Sequence, residues 1–236
     1  MKLPVIFAGH GSPMIALEDN ELRKEFQKIG ERVVSEFEKP KAILSFSAHW
    51  FTRGTYVQSD PEPRQVYDMY GFPKELYEVQ YHPKGCQELT DDILALLPDI
   101  SINDDWGIDH GTWTVLVHMF PGAPIPVVQL SIDGIEGPQS AYDIGKALAP
   151  LREKGYLFLG SGNIVHNLRR LEWDNPNGSP QADRFDAAYA APTADHFLPL
   201  LYTLGAAQGE KPEIFNNVRN TGSLSMTGYL FGFGEK

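Results

Sequence analysis

Leu3-Pro4-Val5-Ile6-Phe7-Ala8-Gly9-His10-Gly11-Ser12-Pro13 is an apolar run that stops at a glycine–histidine–glycine turn. An uninterrupted apolar run of this length reads as a buried strand. Leu22, Phe26, Ile29, Val33 and Phe37 then recur at helical spacing, and Pro40 stops the pattern. A second apolar run, Ala42 to Ala48, follows at once and leads into Ser47-Ala48-His49-Trp50. Strand, helix, strand is the unit from which parallel sheets are built. The alternation continues outward. Thr55–Gln58, Ile125–Ile132, Tyr156–Leu159 and Leu224–Phe231 read as further strands, and helices are marked by Leu89, Ile93 and Leu97, by Ala141 to Leu151, and after Pro192. The pattern predicts an α/β fold with a largely parallel sheet, and no repeat, charge block or Ser/Gly linker divides the chain.

Composition narrows the functional classes. The 236 residues carry 20 Lys and Arg against 31 Asp and Glu, a net charge of −11. That balance argues against nucleic acid and anionic membrane surfaces, both of which are bound through a Lys/Arg excess. Apolar stretches fall far short of the roughly 18 residues that span a bilayer. The start, MKLPVIFAGHG, is too short in apolar length for a signal segment. The single cysteine, Cys86, excludes an internal disulfide framework and a multi-cysteine zinc site and reads as structural. A soluble, cytoplasmic protein is expected, and nothing in the sequence sets its oligomeric state.

The seven histidines carry the chemical signal. His10 follows the first strand and His49 closes the second. His166 ends Gly160-Ser161-Gly162-Asn163-Ile164-Val165-His166, just beyond another strand. Open α/β sheets bind ligands outside the carboxyl ends of their strands, so these three imidazoles can converge. Thr193 in Pro192-Thr193-Ala194-Asp195-His196 can cap a helix and place His196 in its first turns. The glycine turn before His166 suggests a helix start, whose dipole would favour a neutral imidazole. Imidazoles without thiolates suit Zn, Fe or Cu. Spacing alone leaves metal ligation and ordinary hydrogen bonding both open for His10, His49 and His166. His82 and His118 read as ordinary hydrogen-bonded side chains. So does His110 on spacing alone, with Asp109 free to cap the helix that follows. Tyr67, Tyr70, Phe72 and Trp113 are candidates for an aromatic pocket, with core packing the weightier role for each. No GxxxxGK[ST], third dinucleotide-type glycine, G-x-S-x-G or HExxH is present.

The ordered set Gly9-His10-Gly11-Ser12-Pro13, Ser47-Ala48-His49-Trp50, Tyr67-Asp68-Met69-Tyr70-Gly71-Phe72-Pro73, Asp109-His110-Gly111-Thr112-Trp113, Pro126 to Ser131, Gly160 to Asn167 and Pro192 to Phe197 resembles the 4,5-DOPA extradiol dioxygenase family. These are class III ring-cleavage enzymes related to the catalytic subunit of protocatechuate 4,5-dioxygenase. The resemblance implies a single domain over residues 1–236, with a mixed, mostly parallel sheet and helices on both sides. It implies that His10, His49 and His196 bind a metal, and that His166 acts as acid/base and is also counted as a ligand in zinc-loaded members. His110 is then a further active-site histidine. The implied cofactor is non-haem Fe(II), with Zn able to occupy the site, and the implied substrates are a catechol and O2. A zinc-dependent hydrolase and a noncatalytic binding protein on the same scaffold are the alternatives. One departure stands out: the connection Asp174 to Ala191 is considerably shorter than the family's.

Overall fold

The computed structural model describes residues 1–172, 175, 177, 179 and 191–234. Along the chain run β1 (Val5–Gly9), α1 (Glu21–Glu36), β2 (Ala42–Thr52), β3 (Tyr56–Val57), α2 (Gln87–Leu96), β4 (Ser101–Ile102), α3 (His110–Met119), β5 (Val127–Asp133), α4 (Gly137–Leu148), β6 (Tyr156–Gly162), α5 (Leu198–Ala207), β7 (Glu213–Phe215), β8 (Arg219–Asn220), β9 (Leu224–Ser225) and β10 (Gly228–Phe231). Eight strands form one sheet in the order β4-β3-β5-β2-β6-β1-β10-β7, and β8 pairs with β9 separately. The centre is parallel (β5–β2, β2–β6, β6–β1), as is β3–β4, whereas β3–β5, β1–β10 and β10–β7 are antiparallel. The mixed, mostly parallel α/β sheet is as expected.

Both faces of the sheet are covered, which is why its strands read as continuous apolar runs. Ile6, Ile43, Leu157 and Leu159 pack with Phe26, Ile29 and Val33 of α1 and Trp113, Val115 and Leu116 of α3. Their neighbours Val5, Leu44, Phe46, Tyr156 and Phe158 point the other way, onto Leu89 and Ile93 of α2, Ala141 and Leu148 of α4, and Leu198, Tyr202 and Ala206 of α5. Asn20 caps α1 by accepting from Arg23 N–H. Helices α4 and α5 cross closely. A methyl group on Gly145 would lie 2.0 Å from the Tyr202 carbonyl oxygen, and one on Gly205 would lie 2.0 Å from that of Tyr142. Among the described residues no helix is long and apolar enough to cross a membrane.

Four local expectations are corrected. Strand β2 runs on to Thr52, and its register with β5 slips between Phe46 and Phe51, so His49 sits in an irregular stretch inside the strand. Such a slip re-aims side chains locally, here in a central strand. Gly160-Ser161-Gly162 belongs to β6, and His166 is followed by a single 3-10 turn, Leu168–Arg170, not by a helix start. His196 precedes α5, in the turn closed by Phe197 and Leu198 N–H groups on the Ala194 carbonyl. The closing strand is two strands, β9 and β10. The short Asp174–Ala191 connection lies largely outside the described residues.

Candidate active site

The parallel register of β1 and β6 sets Ala8 opposite Ser161 and Gly9 opposite Gly162, which brings His10 to the end of β6. His10 Nδ1 lies 2.9 Å from Ser161 Oγ. Ser161 spends its one proton on the Gly111 carbonyl, so it must accept from His10 Nδ1–H, and His10 Nε2 carries a free lone pair. His49 places Nδ1 3.1 Å from Asp68 Oδ2 and Nε2 3.2 Å from His10 Nε2. His196 places Nδ1 2.6 Å from Asp195 Oδ2, and its buried Nε2 has no partner among the described residues. One ligand atom from each of His10, His49 and His196 lies within 4.8 Å of the others. Anchoring one ring nitrogen on an oxygen so that the other faces an ion is the usual support of a histidine metal site. A buried nitrogen left unpaired is costly, and a cation at this point would satisfy it. The three side chains therefore fit a divalent metal.

His110 opens α3, whose cap is Asp109: its Oδ1 accepts from Thr112 N–H at 3.3 Å. Ser47 Oγ, Trp106 Nε1 and Gln129 Nε2 also donate to that carboxylate. Asp68 Oδ1 accepts the His110 backbone N–H at 3.0 Å and lies 2.9 Å from His110 Nδ1. The His110 ring lies 3.8 Å from that of His49. His166 stacks on His196 with centroids 3.4 Å apart and planes 6° from parallel, and it clusters with Asp195 and His196. The five histidines 10, 49, 110, 166 and 196 thus share one site. His118 is buried on the Ile15 carbonyl and His82 is bonded to Gln80, both elsewhere.

Burial, followed by the fields of the neighbouring imidazoles, pushes His10 well below its usual value. Burial pushes His196 down to about 4 against the pull of Asp195, and burial with His196 takes His166 down to about 3. His110 is lowered by burial and by His49, with Asp68 opposing. The neutrality of His166 thus comes from burial and a stacked imidazole, not from a helix dipole. For His49, burial opposes charge, yet the Asp68 hydrogen bond and the Asp109, Asp68 and Asp195 fields outweigh it and raise the value. Burial resists ionisation of Asp68 and Asp195 too, but their histidine partners hold both well below the usual carboxylate range.

Residues 4–189 match the family described as the catalytic LigB subunit of aromatic ring-opening dioxygenase. The chain belongs to this family. A protein of Escherichia coli K12 named 4,5-DOPA dioxygenase extradiol is 38% identical, over 98% of this chain and 95% of its own length. One of the same name from Beta vulgaris is 34% identical over 95% of each chain. The crystal structure of an uncharacterized E. coli K12 protein matches with a TM-score of 0.83 and 34% identity, covering 98% of this chain and 100% of that one. This LigB-family ring-opening dioxygenase has a cavity of about 560 Å³ at the five histidines, lined also by Met69, Phe72, Leu168, Leu171 and Leu224. That volume suits a small molecule. Of the four candidate pocket aromatics Phe72 alone lines it. Tyr70 is 92% exposed, Trp113 is buried in the core and Tyr67 packs against it. Asp68, Asp195 and Ser161 lay inside quoted motifs without a role, and the one sequence signal among them was the adjacency of Asp195 to His196.

Proposed function

We propose that this protein is a non-haem Fe(II) extradiol dioxygenase that opens a DOPA-like catechol with O2 to a muconate semialdehyde. His10, His49 and His196 hold the ion, His166 stands at or beside it as acid/base, and His110 contacts oxygen or substrate. The observation that supports this most is the convergence of three imidazoles, each tied at Nδ1 to an oxygen, around the unpartnered Nε2 of His196. Family membership supports ring opening over the hydrolase and binding-protein alternatives. When bound, Fe(II) acidifies catechol hydroxyls and mediates electron transfer to O2, which redox-inert Zn cannot do.

The chain's own residues do the rest. Met69 and Phe72 offer the substrate ring an apolar wall and keep water from it. His166 is neutral at physiological pH, so a ring nitrogen can accept a hydroxyl proton and return it as the ring opens. Stacking on His196 holds its plane while it does so. Asp68 accepts the His110 backbone N–H and lies 2.9 Å from its Nδ1, which holds the ring on the cavity wall for oxygen or substrate. Anaerobic reconstitution with Fe(II), then O2 uptake with DOPA, protocatechuate, catechol and caffeate, tests the proposal. One O2 per catechol and a visible-absorbing product are expected with Fe(II) and neither with Zn. No uptake with any of the four would refute it.

A further inference from the structure

The first turn of α3 is tied to two of the three histidines that face the ion position. The Gly111 carbonyl accepts Ser161 Oγ–H of β6, the hydroxyl that in turn accepts from His10 Nδ1. Asp109 is wholly buried and is fixed by neutral donors from four places. These are Ser47 Oγ of β2 at 2.6 Å, Gln129 Nε2 of β5 at 3.0 Å, Trp106 Nε1 at 3.0 Å and Thr112 N–H at 3.3 Å. A helix cap needs one accepting atom, which Ser or Asn supplies as well. A carboxylate accepts at both oxygens and donates nothing, so it can gather all four donors, and its burial is costly unless they do come together. Ser47 and Gln129 stand on the two strands whose register slips. Strand β2 pairs with β5 up to Phe46 and again from Phe51, and with β6 up to Ser47. Ala48, His49 and Trp50 thus have no register partner on either strand. The His49 N–H turns to Ser47 Oγ, at 3.3 Å. A methyl group on Gly111 would lie 2.6 Å from Ser47 Oγ and 2.9 Å from His49 Cδ2, although the residue sits inside α3, where alanine is the better helix former.

We propose that Asp109 is a positioning residue for the ion site: through Ser47 it fixes the unpaired stretch of β2 that carries His49, and Gly111 leaves the room in which the His49 ring is set. This rests on the ion position at His10, His49 and His196 and not on ring opening. Ser47 has one proton to give. Because that proton goes to Asp109, the hydroxyl presents a lone pair to the His49 N–H and orients the backbone there. Without the carboxylate the hydroxyl is free to turn, and a segment with no ladder partner loses its anchor. Ligand distances in metal sites hold to within about 0.2 Å, so a small drift of His49 is felt at the ion. The helix gives up propensity at Gly111 for the same end.

The test is a double-mutant cycle on the full-length chain. Zn(II) affinity is read by competition with a chromogenic chelator, and ligand geometry by the visible bands of bound Co(II). Ser47→Ala and Asp109→Asn should each weaken Zn(II) about tenfold, the scale of groups that orient metal ligands, and shift the Co(II) bands alike. The double variant should fall no more than about twofold below the more damaged single one, because both changes break one relay. Gly111→Ala should weaken Zn(II) and shift the bands in spite of its gain in helix propensity. Trp106→Phe takes a donor from the same carboxylate without touching Ser47, and should leave affinity within about twofold and the bands unmoved. Losses that multiply in the double variant, or a Trp106→Phe loss equal to that of Asp109→Asn, overturn the inference. So do Ser47→Ala and Gly111→Ala proteins that match the wild type in affinity and spectrum, and these two decide alone if Asp109→Asn does not fold. No reading depends on turnover. The expected affinities without O2 uptake by the Fe(II)-loaded chain sink ring opening and keep this inference, whereas a wild type that binds neither ion refutes the ion site and the inference together.

Discussion

Asp68→Asn tests how the candidate ion site is held together. Asp68 Oδ2 lies 3.1 Å from His49 Nδ1, and Oδ1 lies 2.9 Å from His110 Nδ1 while accepting the His110 backbone N–H at 3.0 Å. The side chain is 11% exposed, so water screens these contacts little. Asparagine keeps the shape but turns one oxygen into an N–H donor facing an imidazole N–H. That imidazole must then move its proton to Nε2. In His49 this is the atom that faces His10 and the ion position. Losing a hydrogen bond to a charged group costs about 1.5–3 kcal/mol. Groups that orient metal ligands in this way are worth about 10- to 100-fold in affinity, or about 1.4–2.7 kcal/mol, and the two figures agree. Competition against a chromogenic chelator at neutral pH reads the affinity directly. Because Asp68 is held well below the usual carboxylate range, its contribution is present above the ordinary value of about 3.9 and is lost as pH falls through its folded value. The difference between wild type and variant should therefore be complete at neutral pH. Ion affinity within about threefold of wild type would refute the reasoning.

His10→Ala and His49→Ala should each abolish stoichiometric metal binding while the far-ultraviolet spectrum is kept, and unchanged metal content by elemental analysis in both would sink the assignment. His166→Ala should lose about 10²- to 10⁴-fold in kcat yet retain metal, because its role is proton transfer; a metal-loaded variant with full activity rules that role out. His49, raised by Asp68 against burial, contributes stability as the cation below about pH 6.5 that is lost as pH rises through its folded value. Metal needs the neutral ring, so binding near that pH should release a proton, and calorimetry in buffers of different ionisation enthalpy should show it. Binding with no proton release there contradicts the assignment.

Much of the fold was legible because apolar runs and helical spacing are local properties. Val5 to Ala8, Ala42 to Leu44 and Tyr156 to Leu159 are apolar because helices cover both faces of the sheet. The boundaries were less legible. The register slip that re-aims His49 depends on the partner strand β5, and the turn before α5 depends on where His196 must sit. Neither leaves a periodic trace.

The sequence by itself determined that strands alternate with helices, and that His10 and His166 fall just beyond strand ends where a sheet gathers ligands, whereas His49 lies inside β2. Tertiary structure alone decided which oxygen orients each ring. Asp68 reaches His110 across 42 positions and Ser161 reaches His10 across 151, pairings set by sheet register and loop path. It also decided the protonation states, since burial lowers His166 and His196 while one carboxylate raises His49, and burial is not a property of any residue alone. The same holds for the segments 167–172 and 221–223, which are distant in sequence yet run side by side at the cavity. Local pattern is written along the chain, whereas the electrostatics of a site are written across it.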